Sequence, residues 1–182
     1  MTCPFLLNYF PSRGRRNMYE TTGTDFNDDY IGNIKLNDVI HYALSQFKGG
    51  VVHGITHWKN VERNGLQLSE KTEGVNKRVV CLFAYLHDHM RTWDGYDNSH
   101  GPRAAEALID ISSTLLSDLS EEEFEMLYRA CKIHTSQTEP TGNPTIDCCI
   151  DADRLDLPRV GITPDPERML TEAGKLLAEE EW

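Results

Sequence analysis

The sequence predicts an all-α fold, and three observations carry that expectation. Apolar residues recur at steps of three and four from Leu36 onward, helix-starting and helix-stopping residues bracket those stretches, and no convincing strand pattern interrupts them. At 182 residues the chain is long enough for one domain with a real core and short for two. About six helices in residues 35–182 are expected to follow an irregular arm, residues 1–34, which contains Gly, Pro, Asn, Asp and Thr with little periodicity.

The elements follow in order. In LNDVIHYALSQF, Val39, Ile40, Ala43, Leu44 and Phe47 form one face before the Gly49-Gly50 stop. In THWKNVERNGLQL, His57, Val61 and Leu68 share a side, so His57 begins an inward face. Arg78 to Met90 is apolar nearly all round, which suits a central helix packed on every side. After the loop TWDGYDNSHG, which can line a cleft, Pro102 is placed as the first helical residue of PRAAEALIDISSTLL. Ser120 and Glu123 form a capping-box signature for EEFEMLYRACKIH, where Phe124, Leu127, Cys131 and His134 make the inward stripe. In TIDCCIDADRLDLPRVG, Ile146, Ile150, Asp153 and Leu157 step at four, three and four before Pro158. Asp165 and Pro166 then supply a cap and first turn for one last helix, ERMLTEAGKLLAEEE.

Composition narrows the function. Hydrophobic residues make up 39% and charged residues 26%, as expected of a folded, water-soluble domain. The formal net charge of −11 repels polyanions, which disfavours duplex nucleic acid and anionic membranes but leaves small anions open where a local cation binds them. No stretch approaches the length of a membrane span, and the start, MTCPFLLNYFPSRGRR, has its basic residues after the apolar run, the wrong order for a secretory signal. Five cysteines, Cys3, Cys81, Cys131, Cys148 and Cys149, form no CxxC pair and read as reduced thiols, so a cytoplasmic location is expected.

His57, the pair His87-Asp88, His134 and Asp153 each occupy an inward or terminal position of a different expected helix. One buried histidine is usually a hydrogen-bonded core residue. Three imidazoles and two carboxylates in one interior are costly unless something positive neutralises them, and a divalent cation accepts imidazole nitrogen and carboxylate oxygen together.

The segments HGITHWKNV, LHDHM and DADRLD resemble the motifs of the HD-domain superfamily of metal-dependent phosphohydrolases, over roughly residues 53 to 157. The resemblance implies a single HD-type helical domain in which His57, His87, Asp88 and Asp153 coordinate a metal, Asp153 being preferred to Asp151 because it directly precedes Arg-Leu. His100 and His134 resemble the extra histidines that hold a second ion in some members, with Asp88 as the bridge; the plain alternative for His100 is an exposed capping residue. One or two divalent transition metal ions are therefore expected: manganese, iron or cobalt, with zinc, nickel and magnesium also compatible. Beside Asp88, His53 is a candidate catalytic residue, a proton donor to a leaving group; His89 and Asp94 are weaker candidates. Arg63, Arg103 and Arg154 are candidates for binding substrate phosphate, although helical arginines are more often solvated or paired.

The resemblance implies hydrolysis of a small, nucleotide-like phosphate monoester or diester by metal-activated water. Two other functions share the same ligands: a mixed-valent di-iron oxygenase, and a non-catalytic module that binds metal and nucleotide. Residue types do not separate them, and oligomeric state is not legible.

Overall fold

The computed structural model describes residues 30–180. Most of the expected arm, residues 1–29, lies outside the described residues. Its last part is ordered: Tyr30–Ile31 (β1) pairs antiparallel with Ile34–Lys35 (β2) through a turn at Gly32, whose φ of 65° is one that glycine adopts freely. Ile34 is buried in the core, so the packed domain begins just ahead of residue 35.

Seven α-helices follow among the described residues, one within each of the seven segments read as helical, against an expected count of about six. They are α1 Leu36–Gln46, α2 Ile55–Lys71, α3 Lys77–Leu86, α4 His100–Ile111, α5 Glu121–Ile133, α6 Pro144–Arg154 and α7 Glu172–Ala178. The two-residue ladder is the only sheet among those residues, so the fold is all-α. No helix among them is long and apolar enough to cross a membrane.

The centre is α3, which packs against α1, α2, α5 and α6. Its eight residues from Val79 to Leu86 are all buried, as an element apolar on every side requires. Asn76 caps its start by accepting from the Val79 amide. Gly65 lets α2 approach α3 closely: a Cβ there would sit 2.4 Å from Val80 Cγ1. The capping box at Ser120 and Glu123 starts α5 as expected, and Asn143 with Pro144 starts α6.

Three boundaries differ from the periodic pattern. Helix α3 stops at Leu86, so His87 is its C-cap and Asp88 lies just beyond. Helix α4 begins at His100, which makes Pro102 its third residue, a place where the missing amide costs no helical bond. It ends at Ile111, and residues 112–119 form successive turns. The last expected helix is broken into a 3₁₀ turn, Pro166–Arg168, capped by Asp165, and α7, capped by Thr171. The cause is Asp151, whose carboxylate accepts from the Leu170 and Thr171 amides at 2.8 and 2.9 Å and from Thr171 Oγ1 at 2.8 Å. Those amides are turned to α6 instead of to a preceding helical turn.

Four cysteines, Cys81, Cys131, Cys148 and Cys149, are buried free thiols, and burial pushes their pKa values up, that of Cys148 to about 12. They pack as small apolar residues.

Asp151 fastens α7 to the domain. Asp151→Ala leaves three buried donors without an acceptor and is expected to cost about 3 kcal/mol; a chemical-denaturation midpoint within error of the parent would refute the role.

Candidate metal centre

Six side chains from five parts of the fold converge beside the exit of α3. His57 comes from the first turn of α2, His87 and Asp88 from the end of α3, His100 from the first residue of α4, His134 from the C-cap of α5, and Asp153 from the end of α6. All except Asp153 are buried.

Two sets of donors share Asp88, and His134 also lies close enough to His87 and Asp153 to form a third group across them. In the first, His57 Nε2 lies 3.1 Å from His87 Nε2, 3.3 Å from Asp153 Oδ1 and 3.7 Å from Asp88 Oδ2. His87 Nε2 is 3.6 Å from Asp88 Oδ2 and 3.9 Å from Asp153 Oδ1. In the second, His100 Nε2 is 2.8 Å from His134 Nε2 and 2.9 Å from Asp88 Oδ1, and His134 Nε2 is 3.7 Å from that oxygen. Ligands at about 2.1 Å from one ion stand roughly 3.0–3.4 Å apart, close to these separations. Each oxygen of Asp88 faces a different set.

The tautomers make the same point chemically. His57 Nδ1 is 2.7 Å from Asp156 Oδ2, and the Nδ1 atoms of His87, His100 and His134 face the carbonyls of Phe83 and Ala84, Asp97, and Cys131 at 2.5–3.1 Å. Carbonyl and carboxylate oxygens only accept, so each Nδ1 carries the hydrogen and each Nε2, acting as a ligand, presents its lone pair inward. Two pairs of lone pairs then face each other at 3.1 and 2.8 Å, an arrangement a shared cation converts from repulsive to favourable. The buried His and Asp groups can hold a metal ion, and their chemistry fits a divalent transition metal.

Electrostatics agree. Burial opposes ionisation of Asp88, and positive charge in the space its oxygens share with His87, His100 and His134 holds the carboxyl well below the usual range. Burial likewise opposes ionisation of Asp153, and positive charge at its contact with His57, beside His87 and His134, overcomes it. Burial pushes His87 down to about 3, against Asp88 and Asp153, so its imidazole is neutral as a ligand must be.

A ring of further residues holds the donors, and several of these are not visible as site residues in the sequence. Asp156 orients His57 and is itself held by Asn60 Nδ2 at 2.9 Å. Arg159 donates to the carbonyls of Asp156 and Val52. Arg91 Nε donates to Asp88 Oδ1 at 3.1 Å and its Nη1 to the Gly95 carbonyl. Asp156 stands three residues after Asp153, the one spacing that hinted at it. Gly101 admits the close approach of α4 and α5, since a Cβ there would lie 2.7 Å from the Cys131 carbonyl and 3.1 Å from the His134 ring.

The remaining candidates separate. His53 is buried with its ring centroid 6.1 Å from that of His57, and Nδ1 is 3.2 Å from Asp94 Oδ1. Asp94 also accepts from the Gly50 and Val52 amides, which pins the loop carrying His53. Burial lowers the His53 pKa, with the field of Asp88 opposing it. His89 turns away to pack beside Tyr42, while Asp151 serves α7 and is no ligand of either set. Arg63 is exposed, roughly 120° round α2 from His57, with Asn64 as its described partner. Arg103 is engaged by Asp97 and the Met90 carbonyl. Arg154 lies beside the site but donates to the carbonyls of Gln137 and Arg168.

No family model, curated protein or solved structure matches the chain.

Two metal-content predictions follow from the shared carboxylate. Asp88→Ala is expected to lose both ions while retaining its helical circular dichroism, and His134→Ala to lose one; an unchanged metal-to-protein ratio in either would defeat the two-set arrangement. Asp156→Asn is expected to weaken metal binding about 10–100-fold, measured by chelator competition, because His57 loses its orienting carboxylate.

Proposed function

We propose that the chain is a metal-dependent phosphohydrolase of the HD-domain type, acting on a small nucleotide-like phosphate ester. The observation that carries this reading is the Asp88 carboxylate, with one oxygen in each of two histidine-rich donor sets. Divalent ions bound there supply Lewis acidity toward a phosphoryl oxygen and a low-pKa water.

The chain's own residues do the rest. The six donors, held by Asp156, Arg91 and backbone carbonyls, keep the charge of the site in one place with little reorganisation. Asp94 accepts from Nδ1–H of His53 and, against burial, favours the doubly protonated ring, whose Nε2–H would pass its proton to the departing oxygen and leave the neutral Nδ1–H ring. The order of HGITHWKNV, LHDHM and DADRLD along the chain supports the family assignment.

Metal analysis of protein purified without chelator, paired with a phosphate-release screen over nucleotides and generic phosphodiesters, tests the proposal. One or two equivalents of manganese, iron or cobalt with phosphate release is the expected result. Two irons with oxygen uptake and no phosphate release would replace it with the oxygenase, and no metal under any loading condition would remove it. His53→Gln is expected to lower kcat about 10²–10⁴-fold at unchanged metal content; wild-type kcat in that variant would exclude His53 as the proton donor.

A further inference from the structure

A cleft of about 740 Å³ opens beside the metal centre, with His134 and Asp153 among its lining residues. Thr135, Gln137 and Thr138 line one side, and the segment from Leu157 to Met169 lines the other. Its size is that of a small-ligand pocket.

The charges in and around the cleft decide what it takes. Arg154 follows Asp153, and its guanidinium reaches both sides at once, donating to the Gln137 carbonyl on one and the Arg168 carbonyl on the other. It is a brace across the cleft. Arg91, Arg103 and Arg159, the other arginines near the donor sets, are engaged by Asp88 and Gly95, by Asp97 and Met90, and by Asp156 and Val52. The remaining cation of the lining is Arg168, 82% exposed, with Nε 3.8 Å from Asp165 Oδ2. Asp165 and Glu167 line the same part, so two carboxylates stand against one guanidinium.

Resting on the phosphohydrolase reading, we infer that the substrate carries a single phosphate on a neutral, hydroxylated organic group, a nucleoside monophosphate in preference to a di- or triphosphate. The phosphate is matched by the metal centre. A second or third phosphate along the Asp165 and Glu167 edge meets two carboxylates and, among the described lining residues, one exposed guanidinium, that of Arg168, already beside Asp165, and like charges there repel. A neutral group finds partners instead: the hydroxyls of Thr135, Thr138 and Thr163 and the Gln137 amide for hydrogen bonds, Leu157 and Ile162 for apolar contact.

The metal-loaded full chain is tested with one nucleoside as its 5′-mono-, di- and triphosphate, and with p-nitrophenyl phosphate. The monophosphate is expected to exceed the triphosphate about tenfold or more in kcat/KM, a difference of about 1.4 kcal/mol. The double variant Asp165→Asn, Glu167→Gln is expected to narrow that ratio severalfold; the introduced asparagine keeps a side-chain oxygen for the turn that Asp165 caps. Calorimetry supplies a readout without turnover: a nucleoside 5′-phosphonate is expected to bind more tightly than the same phosphonate bearing two further phosphates, and the double variant to reduce the difference. Turnover of p-nitrophenyl phosphate with an equal or reversed mono-to-triphosphate ratio would overturn this inference and leave the hydrolase reading standing. Failure to hydrolyse any ester, p-nitrophenyl phosphate included, would overturn both.

Discussion

Asp88 is buried between four imidazoles, and the surrounding structure is arranged around satisfying that one carboxylate. Its two oxygens face separate pairs of Nε2 atoms, and Arg91 donates to one of them. An ionised carboxylate in such an interior costs several kcal/mol without compensating charge. Imidazoles that carry their hydrogen on Nδ1 offer Nε2 as ligands, and a cation bound among them would supply that charge. The same carboxylate links α3, α4 and α5, so the packing of three helices and the chemistry of the site depend on one contact set.

Helix ends make this placement possible. His87 and His134 are the C-cap residues of α3 and α5, and each turns Nδ1 back to carbonyls of its own last turn. Phe83 O also accepts from the His87 amide, whereas Ala84 and Cys131 are among the last carbonyls of their helices, so the histidine serves the helix terminus and has its tautomer fixed in the same bond. The negative ends of two helix dipoles also favour positive charge where the Nε2 atoms meet. The apolar run CLFAYL is thus the support for the ligands behind it: buried on all sides, it allows the end of α3 little freedom to wander.

What was legible in the sequence is what local physics determines. Apolar periodicity and the capping box at Ser120-Glu123 speak for themselves within a few residues, and five of the six candidate ligands, His57, His87, Asp88, His134 and Asp153, stand at inward or terminal positions of such segments. The break ahead of α7 does not, because Thr171 becomes a cap only when Asp151, twenty residues earlier, takes the two amides. Arg91 and Asp156 are similar cases. Each looks like an ordinary charged residue near a helix end until the fold sets it against Asp88 or His57. Arg103 and Arg154 show the same limit: a guanidinium advertises its charge in the sequence, but not the carbonyls that engage it.

Those engaged arginines shape how the protein can handle an anion. With a net charge of −11 the long-range field offers a phosphate no attraction, and near the donor sets the guanidinium groups are tied to Asp88, Asp97, Asp156 or backbone carbonyls. On the proposed function, attraction for phosphate would come from the cation the donor sets hold, so that binding and activation of the substrate would depend on one group. Such a site would recognise its anion at a single point and leave the rest of the cleft to read the neutral part of the molecule. On that reading selectivity would reside in the segments 135–138 and 157–169, and Arg154, by joining them across the cleft, would set the width within which it operates.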